Sequence, residues 1–302
     1  MLAHAPGVPG PFTLKTLVTG WAVEPVPLAL TVVAGFLYWA GLRRLTGPPA
    51  WPAGRTWAWY GGLAAAVLAI ASPVDTYADV SFSTHMVQHV LLMFVAAPLF
   101  ALGAPVTLAL RAARPATRRR FILPVLHSRP VRVLTHPLVA MGLFMGTQYV
   151  THLTGFYETA LTSGAVHDLE HALYLGTALL FWWPVVGLDP APRKMSHPVR
   201  IVYLVLMMPL EAFLALAILS GHAYPHYLAL PPPWGGANAV ADLSSAGAFM
   251  WIAGDLSALI AGLLVAGAWL RRDQIRQRRI EDEEDRRAAA MESAAGNPKP
   301  AR

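Results

Sequence analysis

The sequence predicts an all-α membrane protein, built as a bundle of seven transmembrane helices. Hydrophobic residues make up 55% of the 302 residues and charged residues only 13%, which is too apolar for the surface of a water-soluble protein of this length. A helix needs roughly 20 residues to cross a bilayer core of about 30 Å, and seven apolar segments are close to this length. Their limits are 26–42, 57–72, 85–110, 133–153, 166–188, 199–220 and 246–270.

Lysine and arginine predict the orientation of this bundle. Of the 23 basic residues, 22 follow the first, third, fifth and seventh apolar segments, in the stretches 43–55, 111–132, 193–200 and 271–302. Loops that remain in the cytoplasm carry an excess of Lys and Arg. We therefore expect a multi-pass protein of the plasma membrane, with its N-terminus outside and its C-terminus cytoplasmic.

The parts of the chain outside the bundle are predicted to be short. Residues 1–25 form an extracytoplasmic N-terminal segment, which lacks the basic start and unbroken apolar run of a cleavable signal peptide. Residues 26–270 form the transmembrane domain, and the charged residues 271–302 form a cytoplasmic tail, which begins as a juxtamembrane helix and frays into disorder. The outer loop 222–242 contains three consecutive prolines and is either an ordered lid or a plain connector.

Composition also excludes several classes of function. The chain has no cysteine, so disulfides, zinc fingers and thiolate copper sites are excluded. Its basic residues lie in the short clusters that report topology, so we do not expect nucleic acid as a partner. No nucleophile-elbow sequence occurs, and we do not expect an enzyme.

Histidines predict the functional site. Seven of them fall at segment ends that the charge pattern assigns to the outer face: His85, His89, His152, His167, His171, His222 and His226. The two pairs with i,i+4 spacing each project from one side of a helix. Neutral imidazole binds copper, zinc, iron and nickel, so the sequence predicts a metal or haem site, with hydrogen bonds between helices as the alternative.

Four further side chains extend this hypothesis into the membrane. Met93 and Met145 could guide a soft cation such as Cu(I), although methionine also fills gaps between helices. Glu211 and Asp255 lie in the sixth and seventh segments. They form either a proton or cation path or a pair of protonated acids bonded to neighbouring helices.

A resemblance to a known family rests on the third segment. The run Ser83–Met93, STHMVQHVLLM, with Ala97-Pro98 and Leu102–Pro105 after it, resembles the signature of the multi-span CtaG family of cytochrome c oxidase assembly factors. The resemblance covers residues 20–275. Further matches are His152 with Phe156-Tyr157, the His167-Glu170-His171 run, Phe181–Pro184 with Asp189-Pro190, Tyr224-Pro225 with Tyr227, and Met250-Trp251.

This resemblance implies that the chain helps to mature a haem-copper cytochrome c oxidase. It would receive copper on the outer side, from an extracytoplasmic donor, and deliver it to the catalytic subunit within the lipid bilayer. The implied copper ligands are His85, His89, His167 and His171, with His152 next. Accessory candidates are Met93, Met145, Glu170, His222, His226, Glu211 and Asp255.

Three alternatives remain open. A copper transporter would use the same outer histidines and continue through the methionines and carboxylates. A haem-binding membrane electron carrier would use histidines from two helices as axial ligands. A metal-free assembly scaffold would use the histidine pairs as hydrogen bonds between helices.

Overall fold

The computed structural model describes residues 9–21, 25–222 and 224–295. Every regular element within these residues is a helix, which confirms the all-α prediction. Residues 1–8 and 22–24 of the predicted N-terminal segment lie outside the described residues, as do residues 296–302 of the predicted tail.

The described residues form α-helices α1 to α16 and two π-helical stretches, π1 and π2. The first part of the chain forms α1 (Thr16–Thr19), α2 (Pro25–Arg43), α3 (Ala53–Ala71), α4 (Pro73–Ala78), α5 (Phe82–Val90), π1 (Leu91–Ala96), α6 (Ala97–Leu102) and α7 (Pro105–Ala112). Short elements follow: α8 (Pro115–Thr117), π2 (Arg118–Ile122), α9 (Leu123–Leu126) and α10 (Arg129–Leu134). The remainder forms α11 (Pro137–Leu153), α12 (Phe156–Thr162), α13 (Gly164–Val186), α14 (His197–Leu219), α15 (Pro225–Leu228) and α16 (Ala237–Ala295).

Four helical segments among the described residues are long and apolar enough to cross a membrane. They are Pro25–Arg43, Phe82–Ala112, His197–Leu219 and Ala237–Ala289, and they contain or overlap the first, third, sixth and seventh predicted segments. The other three predicted segments fall on α3, α11 and α13, which have 19, 17 and 23 residues.

The outward faces of these helices are apolar. Val202, Phe213, Ile252 and Leu263 are among the exposed large hydrophobic side chains. Because a bilayer core solvates apolar side chains, such a surface suits a membrane protein.

The segment 82–112, made of α5, π1, α6 and α7, lies at the centre of the bundle. It packs against α3, α13 and α16, while α11 packs between α13 and α14, and α14 packs on α16. Helix α2 lies at the edge against α3 and α7, with Tyr38 as its one buried residue. Phe144, Tyr174, Phe181 and Met207 are fully buried in the middle of the bundle.

Two local features fix the ends of the helices that carry the histidines. Ser81 caps α5, because its hydroxyl accepts a hydrogen bond from the Thr84 amide at 3.2 Å. The Asp242 carboxylate on α16 accepts a second bond from the Ser83 amide at 3.2 Å, which joins α16 to this end of α5. Helix α13 ends at Val186, and the next residue, Gly187, has a φ of 62°, a left-handed conformation that favours glycine.

Candidate metal centre

The histidine pair on α5 lies in the interior of the bundle. The side chains of His85 and His89 are 0% and 1% exposed, and their ring centroids are 4.2 Å apart, as the i,i+4 spacing predicts. The ring nitrogens of both residues have no hydrogen-bond partner among the described residues. A π-helical turn begins two residues after His89, a distortion that is common at functional sites.

The histidine pair on α13 lies beside the α5 pair in the same order. The His167 and His171 ring centroids are 4.2 Å apart. His167 stacks on His85 with centroids 5.4 Å apart, and His171 lies 6.5 Å from His89. Because first pairs with first and second with second, α5 and α13 run parallel here. The four histidines that the sequence singled out are thus brought together.

Glu170 joins the α5 pair and is central to the cluster. Its carboxylate is fully buried, with Oε2 3.5 Å from Nε2 of His85 and Oε1 3.8 Å from Nε2 of His89. These separations are too long for good hydrogen bonds but suit two ligands of one ion, because metal bonds of about 2.0–2.1 Å in a tetrahedron separate ligand atoms by about 3.4 Å. His85, His89 and Glu170 form one group of three possible ligand atoms within 4.8 Å of one another.

Asp75 joins the α13 pair, although it is not among the ligands predicted from the sequence. Asp75, His167 and His171 form a second group whose possible ligand atoms lie within 4.8 Å of one another. Asp75 is on α4, a six-residue helix that Ser72 caps and that has proline at its first position. The Ser72-Pro73 start was the available sequence signal for a helix at Asp75, but it does not predict that this helix turns back to the bundle.

His152 on α11 lies next to the group of His85, His89 and Glu170 and is held in one orientation. Its Nδ1 lies 2.9 Å from the Gln148 carbonyl oxygen and 3.0 Å from the Tyr174 hydroxyl. A carbonyl oxygen can only accept, so Nδ1 carries the proton and Nε2 carries the lone pair. Nε2 has no hydrogen-bond partner within the described part of the chain, and the ring lies 5.9 Å from that of His89.

Aromatic side chains cover the cluster on the side of α12 and α15. The Tyr157 ring lies 4.8 Å from His85 and stacks on His152 at 5.8 Å. Tyr227 donates to the Ala78 carbonyl at 2.8 Å and accepts from Tyr157 at 2.8 Å. Burial raises the pKa of the Tyr227 hydroxyl well above its ordinary value, so it stays protonated and able to donate.

The two loop histidines do not enter the cluster. His222 is exposed. The His226 amide donates to Glu158 Oε1 at 2.9 Å, and its Nε2 lies 3.1 Å from the Asp79 carbonyl oxygen. These contacts fasten the start of the outer loop to α4 and α12. Neither histidine belongs to a group of possible ligand atoms among the described residues.

The other accessory candidates lie in a second polar region, deeper along the helices. Glu211 is fully buried and accepts a hydrogen bond from Gln148 Nε2 at 3.1 Å, while Trp251 donates to Asp255 at 2.9 Å. Met145 lies beside Gln148, with 3.8 Å between its sulfur and Nε2, and Met93 is buried in the same core. Gln148 therefore connects His152, through its carbonyl, to Glu211, through its side chain.

Comparisons with known proteins agree with the resemblance seen in the sequence. A family model described as cytochrome c oxidase caa3 assembly factor matches residues 36–272. Uncharacterized proteins of Mycobacterium bovis and Mycobacterium tuberculosis are each 33% identical over 296 residues, covering 93% of this chain and 43% of the relative. A third uncharacterized protein, from Mycobacterium leprae, is 32% identical over 291 residues, again covering 93% of this chain and 43% of the relative. The chain therefore spans less than half the length of these curated relatives. No solved structure matches the chain.

Proposed function

Because the chain belongs to the family of cytochrome c oxidase caa3 assembly factors, we propose that it delivers copper to a haem-copper cytochrome c oxidase. Its role is to bind and transfer the ion rather than to catalyse a reaction. The observation that carries this proposal is the convergence of His85, His89 and Glu170, with 3.5 and 3.8 Å between the carboxylate oxygens and the two Nε2 atoms.

The charge balance of the cluster supports a bound cation. A buried carboxylate is costly unless a positive charge or hydrogen bonds compensate it. The stretches 56–110, 133–192 and 201–270 build the cluster and its surroundings, and their sequences contain no Lys or Arg. A metal ion bound to neutral imidazoles would supply the missing positive charge. It would also occupy ring nitrogens of His85 and His89 that the described residues leave without hydrogen bonds.

We further propose the full membrane arrangement that the sequence predicts. All seven segments would cross the plasma membrane, since α3, α11 and α13 lie among the four apolar segments and pack on them. The Arg-rich stretch 111–132 and the tail after residue 270 would lie in the cytoplasm. The histidine cluster would then lie near the extracytoplasmic face, where a copper donor could reach it.

Delivery would require the aromatic cover to move. The side chains of Tyr157, Tyr224 and Tyr227 would enclose the copper ion. Two hydrogen bonds keep this cover closed: the Tyr227 hydroxyl donates to the Ala78 carbonyl, and the Tyr224 hydroxyl donates to the His152 carbonyl at 3.0 Å. Both hydrogen bonds join the outer loop to the bundle, so docking of the oxidase catalytic subunit on this loop could open the site. The copper ion would then leave by exchanging the imidazole and carboxylate ligands of this chain for ligands of the partner.

The geometry favours a bare ion over haem. Tyr157 lies 4.8 Å from His85, and Tyr174 lies 4.1 Å from His89, measured between ring centroids. These rings occupy the space that a porphyrin would need beside either imidazole. An optical spectrum of the purified protein tests this choice, because axial ligation of haem by histidine gives an intense Soret band.

A copper transporter is the second candidate, and the contacts of Gln148 favour it. They link His152 to Glu211 and so continue the polar region from the cluster into the bundle. Copper flux across proteoliposomes containing the purified chain separates the two functions. A delivery factor binds copper without moving it across the bilayer, whereas a transporter carries it into the lumen. A metal-free scaffold would do neither.

The experiment that tests copper delivery measures the oxidase itself. Cells lacking this chain would receive either the natural sequence or the His85→Ala/His89→Ala variant, matched for amount in the membrane. We expect the oxidase purified from variant cells to contain haem but little copper, and the natural sequence to restore the copper. His222→Ala is the matched control, since that histidine is exposed and outside the cluster. Full copper content with the double variant would refute the proposal.

A further inference from the structure

The helical turn from His167 to His171 on α13 serves two groups of possible ligands. Glu170 belongs to the group with His85 and His89, whereas His167 and His171 belong to the group with Asp75. Residues three and four apart lie on neighbouring but distinct positions of a helix surface, so one turn can serve two sites. The cluster thus contains two sets of two imidazoles and one carboxylate, instead of one set of five histidines.

Asp75 is positioned as a ligand would be. It is 2% exposed, and Gln88 donates a hydrogen bond of 2.7 Å from Nε2 to its Oδ1. The same amide nitrogen also donates to the Ala69 carbonyl at 2.9 Å, which fixes the Gln88 side chain. Hydrogen bonds of this kind orient the carboxylate ligands of metal sites.

The two groups differ in their access to the surroundings. His85, His89 and Glu170 are each no more than 1% exposed, but His171 is only half-buried. His171 lines an otherwise largely apolar cavity of about 620 Å³ between α2, α3, α6 and α13, whose wall includes the exposed Leu30. The group with Asp75 is therefore the one that a partner within the membrane can approach from the side of the bundle.

We propose that Asp75, His167 and His171 form a second metal site, which binds a divalent transition-metal ion. Two imidazoles and one carboxylate suit Zn²⁺ or Cu²⁺, because the carboxylate is a harder ligand than methionine or thiolate. It is the more accessible of the two positions, next to the enclosed site of His85, His89 and Glu170. The inference rests on the proposed function, since it assigns a second ion to the same histidine cluster.

Zinc stoichiometry of the purified full-length chain tests this second site. The protein in detergent would be dialysed to equilibrium against Zn²⁺. The zinc bound per chain would then be measured by inductively coupled plasma mass spectrometry. We expect two ions in the natural sequence and one in Asp75→Asn. His171→Ala, at a half-buried position that tolerates truncation better, should also bind one. Asp79→Asn, a change of the neighbouring carboxylate, is the matched control and should bind two.

The remaining outcomes separate this inference from the proposed function. One ion in both the natural sequence and Asp75→Asn would overturn the second site, and so would two ions in both. If His85→Ala still removes an ion in either case, the enclosed site of the proposed function stands. A natural sequence that binds no Zn²⁺ would overturn the second site, and the copper content of the same protein then decides the proposed function separately. A thermal unfolding curve for each variant confirms that the compared proteins are folded.

Discussion

The Glu170 carboxylate lies within 3.5 Å of the His85 imidazole at a place where both side chains are fully enclosed by the bundle. Glu170 is on α13 and His85 is on α5, so the pair joins the centre of the molecule to a neighbouring helix. The proposed function makes this acid and this imidazole two ligands of one cation, and the surrounding stretches of sequence contain no Lys or Arg.

Replacement of Glu170 by glutamine should weaken metal binding. Gln keeps the size and the hydrogen-bonding oxygen but removes the negative charge that attracts the ion. We expect the dissociation constant for copper to rise by at least about 10–100-fold, because loss of a group that merely supports a metal ligand already has an effect of this size. Competition with a coloured chelator measures this change. Glu158→Gln is the control, since Glu158 bonds the His226 amide away from the cluster, and equal affinities for the two variants would contradict the assigned role.

Removal of the Tyr227 hydroxyl should loosen the cover of the site. Tyr227→Phe leaves the Ala78 carbonyl and the Tyr157 hydroxyl without their buried partner, which should cost about 1–3 kcal/mol. We expect a lower midpoint of thermal unfolding and faster loss of bound copper to a chelator. Tyr60→Phe removes an exposed hydroxyl that bonds Gly35 and should change neither rate nor midpoint appreciably. Unaltered copper release in Tyr227→Phe would argue against a gating role for the loop.

Glu211 and Gln148 should depend on each other for stability. Gln148→Leu removes the hydrogen bond that the buried Glu211 accepts, and we expect a loss of about 1–3 kcal/mol. Glu211→Leu in the same chain should recover part of that loss, because no buried carboxylate then remains unpaired. A double-mutant cycle in chemical or thermal unfolding measures the coupling. Simple addition of the two single effects would show that the pair does not interact.

The orientation of the chain can be tested directly, because the sequence contains no cysteine. Single cysteines at the exposed positions His222 and Arg119 report the two sides of the bundle. A maleimide that cannot cross membranes should label His222→Cys in intact cells and Arg119→Cys only after the cells are opened. The reverse pattern would place the histidine cluster on the cytoplasmic side and would remove the proposed route from an external copper donor.

The regular part of the site was predictable from sequence. The spacing of His85/His89 and His167/His171 fixes one face on each helix, and the alternation of basic loops predicts that the third and fifth segments run in the same direction. The parallel stacking of His85 on His167 is the consequence. Helical periodicity and the charge pattern therefore suffice to predict that the two histidine pairs lie at a similar depth in the bundle.

The carboxylates of the site were harder to predict, for a physical reason. Whether Glu170 faces His85 depends on the rotation of α13 in the bundle, which packing sets and spacing alone does not determine. Asp75 reaches the cluster because α4 turns back after α3, a tertiary feature of six residues. The position of His226 in the sequence suggests a ligand, yet its Nε2 atom contacts the backbone carbonyl of Asp79 instead.

Metal analysis of the purified chain tests the central claim most directly. The protein would be equilibrated with copper under reducing conditions, freed of unbound metal and compared with the His85→Ala/His89→Ala variant, with His222→Ala as the control. We predict stoichiometric copper in the natural sequence and in His222→Ala, a large loss in the double variant, and no Soret absorption in any sample. Equal copper in all three proteins, or none in the natural sequence, would contradict a copper site in the histidine cluster.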